Sequence, residues 1–120
     1  MTDDDSYTAG MRVRRDVLGD AYVDQVVSDD FNGDFQELIT RYAWGSVWTR
    51  EGLDRRTRSC LTVAMLATLG HHDELAIHLR GALRNGVSRA EISEVLMQVA
   101  VYAGVPAANA AFAVARRALG

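Results

Sequence analysis

An all-α fold is the class this sequence predicts, and three features predict it. Apolar residues recur at steps of three and four through most of the 120 residues. No segment alternates apolar and polar residues over a useful length, and no hairpin signal separates β-rich runs. Glycine and the single proline cut the chain into blocks of helical length. Five to seven helices result.

The elements follow in order. The acidic start reads as a flexible tail over 1–9, leaving a single domain over 10–120. Arg12 to Leu18 reads as a short helix ended by Gly19, and Tyr22 to Val27 as a second. Asn32-Gly33 marks a turn. From Asp34 to Trp48, the residues Phe35, Leu38, Ile39, Tyr42 and Ala43 form one apolar stripe, with Gly45 a candidate bend. Thr49 to Gly52 is a loop. Asp54 then suits the N-cap of a long helix through Leu69, because its carboxylate can accept a bond from a free first-turn amide.

Cys60 to Leu69 is almost wholly apolar, which predicts burial around most of its circumference. Gly70 stops that helix. Asp73 to Asn85 forms the next, with Leu75, Leu79, Ala82 and Leu83 inward and Gly86 after its end. Ser88 and Glu91 make a capping box, each side chain serving an orphan amide of the helix start. Ile92, Val95, Leu96, Val99 and Tyr102 or Ala103 continue one stripe up to Gly104. Pro106 fits a first helical turn, where its missing donor costs nothing. Seven of the fourteen residues from Ala107 to Gly120 are alanine, which favours helix and close axial approach.

Composition excludes several functions. Thirteen arginines and no lysine face sixteen acids, for a net charge of -3. Lysine Schiff-base chemistry and a P-loop lysine are therefore out, and the sign argues against general nucleic-acid binding. One cysteine, Cys60, excludes an intrachain disulfide, a CxxC pair and a thiolate zinc site. No apolar run is long enough to span a membrane, and the acidic start is unlike a signal peptide, so the expected location is the cytoplasm. The alanine-rich last helices suggest burial against a second subunit, or else a tight intrachain crossing.

His71, Glu74 and His78 share one helical face, with about 10.5 Å of rise from first to last. A histidine beside a carboxylate is held in one tautomer and suits proton transfer near neutral pH. The alternative is a wet surface face, and His72 points away from it. A metal site is disfavoured: the spacing is not HExxH, and one short helix cannot aim both ends at one ion. Arg50, Arg55, Arg56 and Arg58 crowd a helix start, where positive charge and the helix dipole favour an anion such as a small organic carboxylate. Pairing with Glu51 and Asp54 is the competing role. Trp44 and Trp48, beside Tyr42, could wall a pocket or an interface. Cys60 reads as an inert core residue.

The strings RYAWG, LDRRTRS and YAGVPAANAAF resemble the carboxymuconolactone decarboxylase family, of AhpD-like helical fold, over nearly the whole chain from Gly10 to Leu119. The resemblance implies a homo-oligomer, often a hexamer, that uses no cofactor and no metal. It implies decarboxylation of a carboxylated lactone in the protocatechuate branch of the β-ketoadipate pathway. The AhpD relatives carry a glutamate, two cysteines and a histidine at positions that fall here on Ser59, His71, Glu74 and His78. Only the histidine survives, which speaks against peroxidase activity. The resemblance assigns His78 as proton donor, Glu74 as its orienting partner, and Arg58 with Arg55 or Arg56 as carboxylate clamps. His71, Trp44 and Trp48 are further candidate substrate contacts. The rival readings are a decarboxylase or isomerase of another small lactone or oxo acid, and a non-enzymatic helical oligomer that binds a small organic acid.

Overall fold

The computed structural model describes residues 3–120. Among them every regular element is helical: α1 (Asp3–Leu18), α2 (Asp20–Val27), α3 (Gly33–Ile39), a π-helical continuation of α3 (Thr40–Trp48), α4 (Arg55–Leu69), α5 (His72–Arg84), α6 (Arg89–Ala103) and α7 (Val105–Leu119). The chain divides into two compact units, one ending at Leu53 and the other running from Asp54 to Gly120. Each is described by itself.

The first unit differs most from its expected form. Helix α1 begins at Asp3 instead of Arg12, so the stretch expected as a tail is helical from there; Met1 and Thr2 lie outside the described residues. Asp5 sits in the first turn, where negative charge suits the positive end of the helix dipole. Val13, Val17 and Leu18 of α1 are buried, as is Val23 of α2. Gly19 joins the two helices at φ 89°, a conformation other residues rarely adopt.

The apolar stripe along α3 and its continuation turns largely outward. Phe35, Leu38 and Tyr42 are exposed, and the buried line is Gln36, Thr40 and Trp44. The cause is Arg14, which reaches from α1 with only 3% of its surface exposed. It donates to Gln36 Oε1 at 2.7 Å and to Thr40 Oγ1 at 3.1 Å. Thr40 Oγ1 in turn donates to the Gln36 carbonyl at 2.7 Å. Burial lowers the Arg14 pKa from its ordinary value, opposed by the Tyr22 and Tyr7 phenols. A buried guanidinium needs acceptors, and this face supplies them.

Gly45 does not break the helix. It lies buried inside the π-helical segment, where α1 crosses closely. A Cβ on Gly45 would fall 3.0 Å from the Ser6 carbonyl carbon and nearer still to its oxygen. A Cβ on Gly10 would meet the Gly45 nitrogen at 2.7 Å. Two glycines thus set how closely these helices approach.

The second unit follows its expected form more closely. The Asp54 carboxylate accepts from the Thr57 amide at 2.7 Å, and Gly70 ends α4 at φ 74°. The Ser88–Glu91 capping box is complete at the start of α6. One core gathers Val63 and Ala67 of α4, Leu75, Leu79 and Ala82 of α5, Ile92, Leu96 and Val99 of α6, and Ala108, Ala111 and Val114 of α7. Two expectations fail. Leu61, Met65 and Leu69 of α4 are exposed, so that helix buries one stripe and not most of its circumference. Leu83 and Tyr102 likewise face outward.

Candidate active site

The expected site residues fall in both units. Trp44 and Trp48 belong to the first, stacked on each other with ring centroids 4.9 Å apart and planes at 28°. Trp44 is buried and Trp48 half-buried. Their four-residue spacing on a helix permits this stack.

The remaining candidates lie on α4 and α5. Two residues connect these helices, which makes them antiparallel neighbours. Asn85, at the end of α5, fixes that arrangement by donating from Nδ2 to Ser59 Oγ, one turn into α4, at 2.8 Å. Ser59 is fully buried, so this bond satisfies a hydroxyl that water cannot reach. Arg56 forms an ion pair with Glu91 Oε2, while Glu91 Oε1 accepts from the Ser88 amide at 2.9 Å. The start of α4, the end of α5 and the start of α6 therefore meet at one end of the unit.

The opposite end holds the start of α5. His71 occupies its N-cap position without a side-chain capping bond, and His71, His72 and Glu74 are exposed. His78 stands further in, half-buried, with its Nδ1 atom shielded from solvent. Arg58 is also half-buried, with its Nε atom shielded, and Arg55 is half-buried. Helix α4 has fifteen residues. At about 1.5 Å per residue it separates Arg55 from the His71 end by roughly 20 Å.

The unit therefore does not gather every expected residue. Arg58 and His78 approach the middle of the helix pair from opposite ends. Arg56 has an internal partner in Glu91, and His71 lies far from the arginine end. The Asn85–Ser59 bond was not anticipated: Asn85 reads in sequence only as the end of a helix. Asp54, at the arginine end, has its carboxyl held below its ordinary pKa, first by the Thr57 amide hydrogen bond. Among the described residues no group of three or more His, Cys, Asp or Glu is placed to hold a metal ion. Nor, among the described residues, is any helix long and apolar enough to cross a membrane.

Residues 33–117 match the profile of the Carboxymuconolactone decarboxylase family. The chain belongs to this family. It is 48% identical over 113 residues to a 4-carboxymuconolactone decarboxylase of Acinetobacter baylyi, covering 92% of this chain and 84% of that protein. It is 42% identical over 115 residues to the nitrosuccinic acid decarboxylase of Metarhizium robertsii, covering 94% of this chain and 80% of that one. A 4-carboxymuconolactone decarboxylase of Pseudomonas putida is 57% identical over 47 residues, 38% of this chain and 98% of that sequence.

The carboxymuconolactone decarboxylase match begins in α3 and takes in α4 to α7, so all the α4 and α5 candidates lie inside it. Within the matched region Ser59 is buried, His71 and Glu74 are exposed and His78 is half-buried. Ser59 is tied to Asn85, which gives it a structural duty.

Proposed function

We propose that this protein decarboxylates 4-carboxymuconolactone to 3-oxoadipate enol-lactone and carbon dioxide, working as a homo-oligomer, a hexamer on the family resemblance. The observation that carries the reading is the match along nearly the whole chain to a decarboxylase of that name.

The chemistry suits the residues at hand. The departing carboxylate sits on the saturated ring carbon of an unsaturated lactone. As carbon dioxide leaves, its bonding pair moves through the ring double bond to the lactone carbonyl and forms a dienolate. A proton on the carbon next to that carbonyl completes the enol-lactone. The substrate is its own electron sink, so the reaction as written asks for no cofactor. The protein must orient two carboxylates, stabilise charge on the lactone oxygen and deliver one proton. Arg58 and Arg55 hold carboxylates through guanidinium forks. His78 delivers the proton, from a ring sheltered enough to keep its orientation yet open on one side. Glu74 orients it, and Arg56 serves through Glu91, steadying the arginine end.

A second reading has its own support. The nitrosuccinic acid decarboxylase relative is named for an acid whose nitro group can take up an electron pair from a neighbouring carboxylate. Both names describe loss of carbon dioxide from a polycarboxylic acid with a built-in acceptor. Freshly generated 4-carboxymuconolactone and nitrosuccinate, offered in parallel to chelator-treated protein, separate the two. Turnover of the lactone is expected. Turnover of nitrosuccinate alone would replace the substrate and keep the reaction class. His78→Ala is expected to lower kcat by about 10²- to 10⁴-fold with helix content unchanged. A near-wild-type rate would remove His78 from proton transfer.

A further inference from the structure

Helices α6 and α7 leave a groove that the candidate site on α4 and α5 does not use. One residue, Gly104, joins them, so they run antiparallel and the start of α6 lies beside the end of α7. Arg89 clasps those ends together. Its Nη1 and Nη2 donate to the Gly120 oxygen at 3.0 and 2.9 Å, and Nη2 also donates to the Leu119 carbonyl. From this clasp the two helices present stripes of the same spacing. Arg89, Ser93 and Leu96 come from α6, and Phe112, Arg116 and Leu119 from α7. Steps of four and three keep each trio on one helical face. Between the stripes lies a cavity of about 250 Å³.

The lining of this cavity says what it takes. Its polar side chains, Arg89, Ser93 and Arg116, gather toward the clasp, where Leu119 closes the end. About one turn nearer Gly104 the walls become apolar at Leu96 and Phe112. Leu96 is fully buried and forms the floor, whereas Phe112 is 37% exposed. Among the described residues no acid lines the cavity. Glu91 and Glu94 of α6 stand about 200° and 140° round the helix from Arg89. Glu91 is also engaged already, by the Ser88 amide and Arg56. The start of α6 has its own cap in Ser88, so the positive charge offered here belongs to the guanidiniums.

We propose that this groove binds a short linear carboxylate, its head at the clasp and its hydrocarbon tail along Leu96 and Phe112. Arg116 holds the carboxylate in a charge-assisted fork, and the Ser93 hydroxyl donates one more bond. Arg89, anchored by the Leu119 and Gly120 oxygens, adds positive charge at a fixed place. At about 1.5 Å per residue, Arg89 and Leu96 stand roughly 10 Å apart, the reach of a short acyl chain and its carboxylate. The cavity is smaller than the range of about 300–1,000 Å³ that takes drug-sized ligands, which limits the tail to a few carbons. None of these residues belongs to the α4 and α5 site, so the groove is independent of the decarboxylase reading.

Hexanoate is the probe, and hexanol its uncharged counterpart. Titrated into the full chain carrying isotope-labelled leucine methyls, millimolar hexanoate is expected to shift the Leu96 methyl signals saturably. The alcohol should leave them nearly unmoved. Arg116→Gln should weaken binding about ten- to hundredfold, the loss of a hydrogen bond to a charged group. Arg117→Gln removes the neighbouring arginine, which does not line the cavity, and should bind hexanoate as the wild type does. Both positions are exposed, so neither change disturbs the core. No saturable shift at millimolar hexanoate overturns the site, and an equal response to the alcohol overturns its choice of an anion. An unchanged titration of Arg116→Gln, or equal weakening by both variants, overturns Arg116 as the fork that holds the carboxylate.

Discussion

The two units of this protein are built by different means. The second stacks apolar side chains from four helices, two of them closed by local devices: Asp54 and Gly70 on α4, Ser88 and Glu91 on α6. The first holds its helices with a buried arginine, its neutral acceptors and a glycine crossing. Helices α2 and α3 start there without a side-chain cap, as α5 and α7 do in the second unit. One unit is held by burial and local sequence, the other by contacts between residues far apart in the chain. Substitutions that separate these two modes sharpen the contrast.

The largest effect belongs to the apolar core. Leu79 is fully buried among residues of α4, α6 and α7. Leu79→Ala is expected to cost about 3 kcal/mol, the transfer term plus a cavity that rigid neighbours cannot refill. Urea titration measures the total, and hydrogen exchange should show lost protection across α4 to α7. A cost under about 1 kcal/mol would mean that this core collapses easily around the gap.

Next comes the glycine crossing. Gly45→Ala drives a methyl group into the Ser6 carbonyl, and backbone cannot rotate aside as a side chain can. We expect about 1–3 kcal/mol of destabilisation, an overpacking cost, despite alanine's better helix propensity. Gly33→Ala is its control, since a Cβ there meets nothing. Equal stability of the two variants would remove close packing as the reason for Gly45.

These contrasts explain what could be read from the sequence. Helix ends of the second unit were legible because a cap and the amides it serves lie within three residues, as at Ser88 and Glu91. The buried face of α3 was not. Arg14 and its acceptors Gln36 and Thr40 are 22 and 26 residues apart, and no local pattern reveals that a polar line will be turned inward. The outer stripe of α4 was misjudged for another reason: Met65 and Val63 look equally apolar, and composition cannot tell a buried face from an exposed one. Of the site, His78 and Arg58 stood out as residue types at a suggestive spacing. That α5 runs back along α4, with Asn85 at its end bonded to Ser59, only the fold supplies.

A smaller effect tests the caps directly. Ser88→Ala removes an acceptor that holds the Glu91 amide at 3.1 Å and is expected to cost about 1 kcal/mol. Asn32 precedes α3 but caps nothing, and its Oδ1 is buried without a hydrogen bond. Asn32→Ala should therefore leave stability unchanged or slightly raised. A similar loss for both would erase the distinction between capped and uncapped helices.

The smallest effect lies in the acid limb of the stability curve. In the folded chain Asp54 has its pKa lowered, chiefly because its carboxylate accepts the Thr57 amide bond, which the protonated form accepts less well. A depressed folded pKa means that the unfolded chain binds the proton more readily. Asp54 thus adds stability above its unfolded pKa, and that contribution is lost as pH falls through the folded value. Asp54→Asn keeps an acceptor at the N-cap and abolishes the titration. At neutral pH the wild type should be slightly the more stable, since its charge also suits the helix dipole. Below the carboxylate range the difference should vanish or reverse, and the variant's urea midpoint should vary less steeply with acid. Parallel acid limbs would show that Asp54 caps α4 through its geometry alone, with its charge contributing nothing.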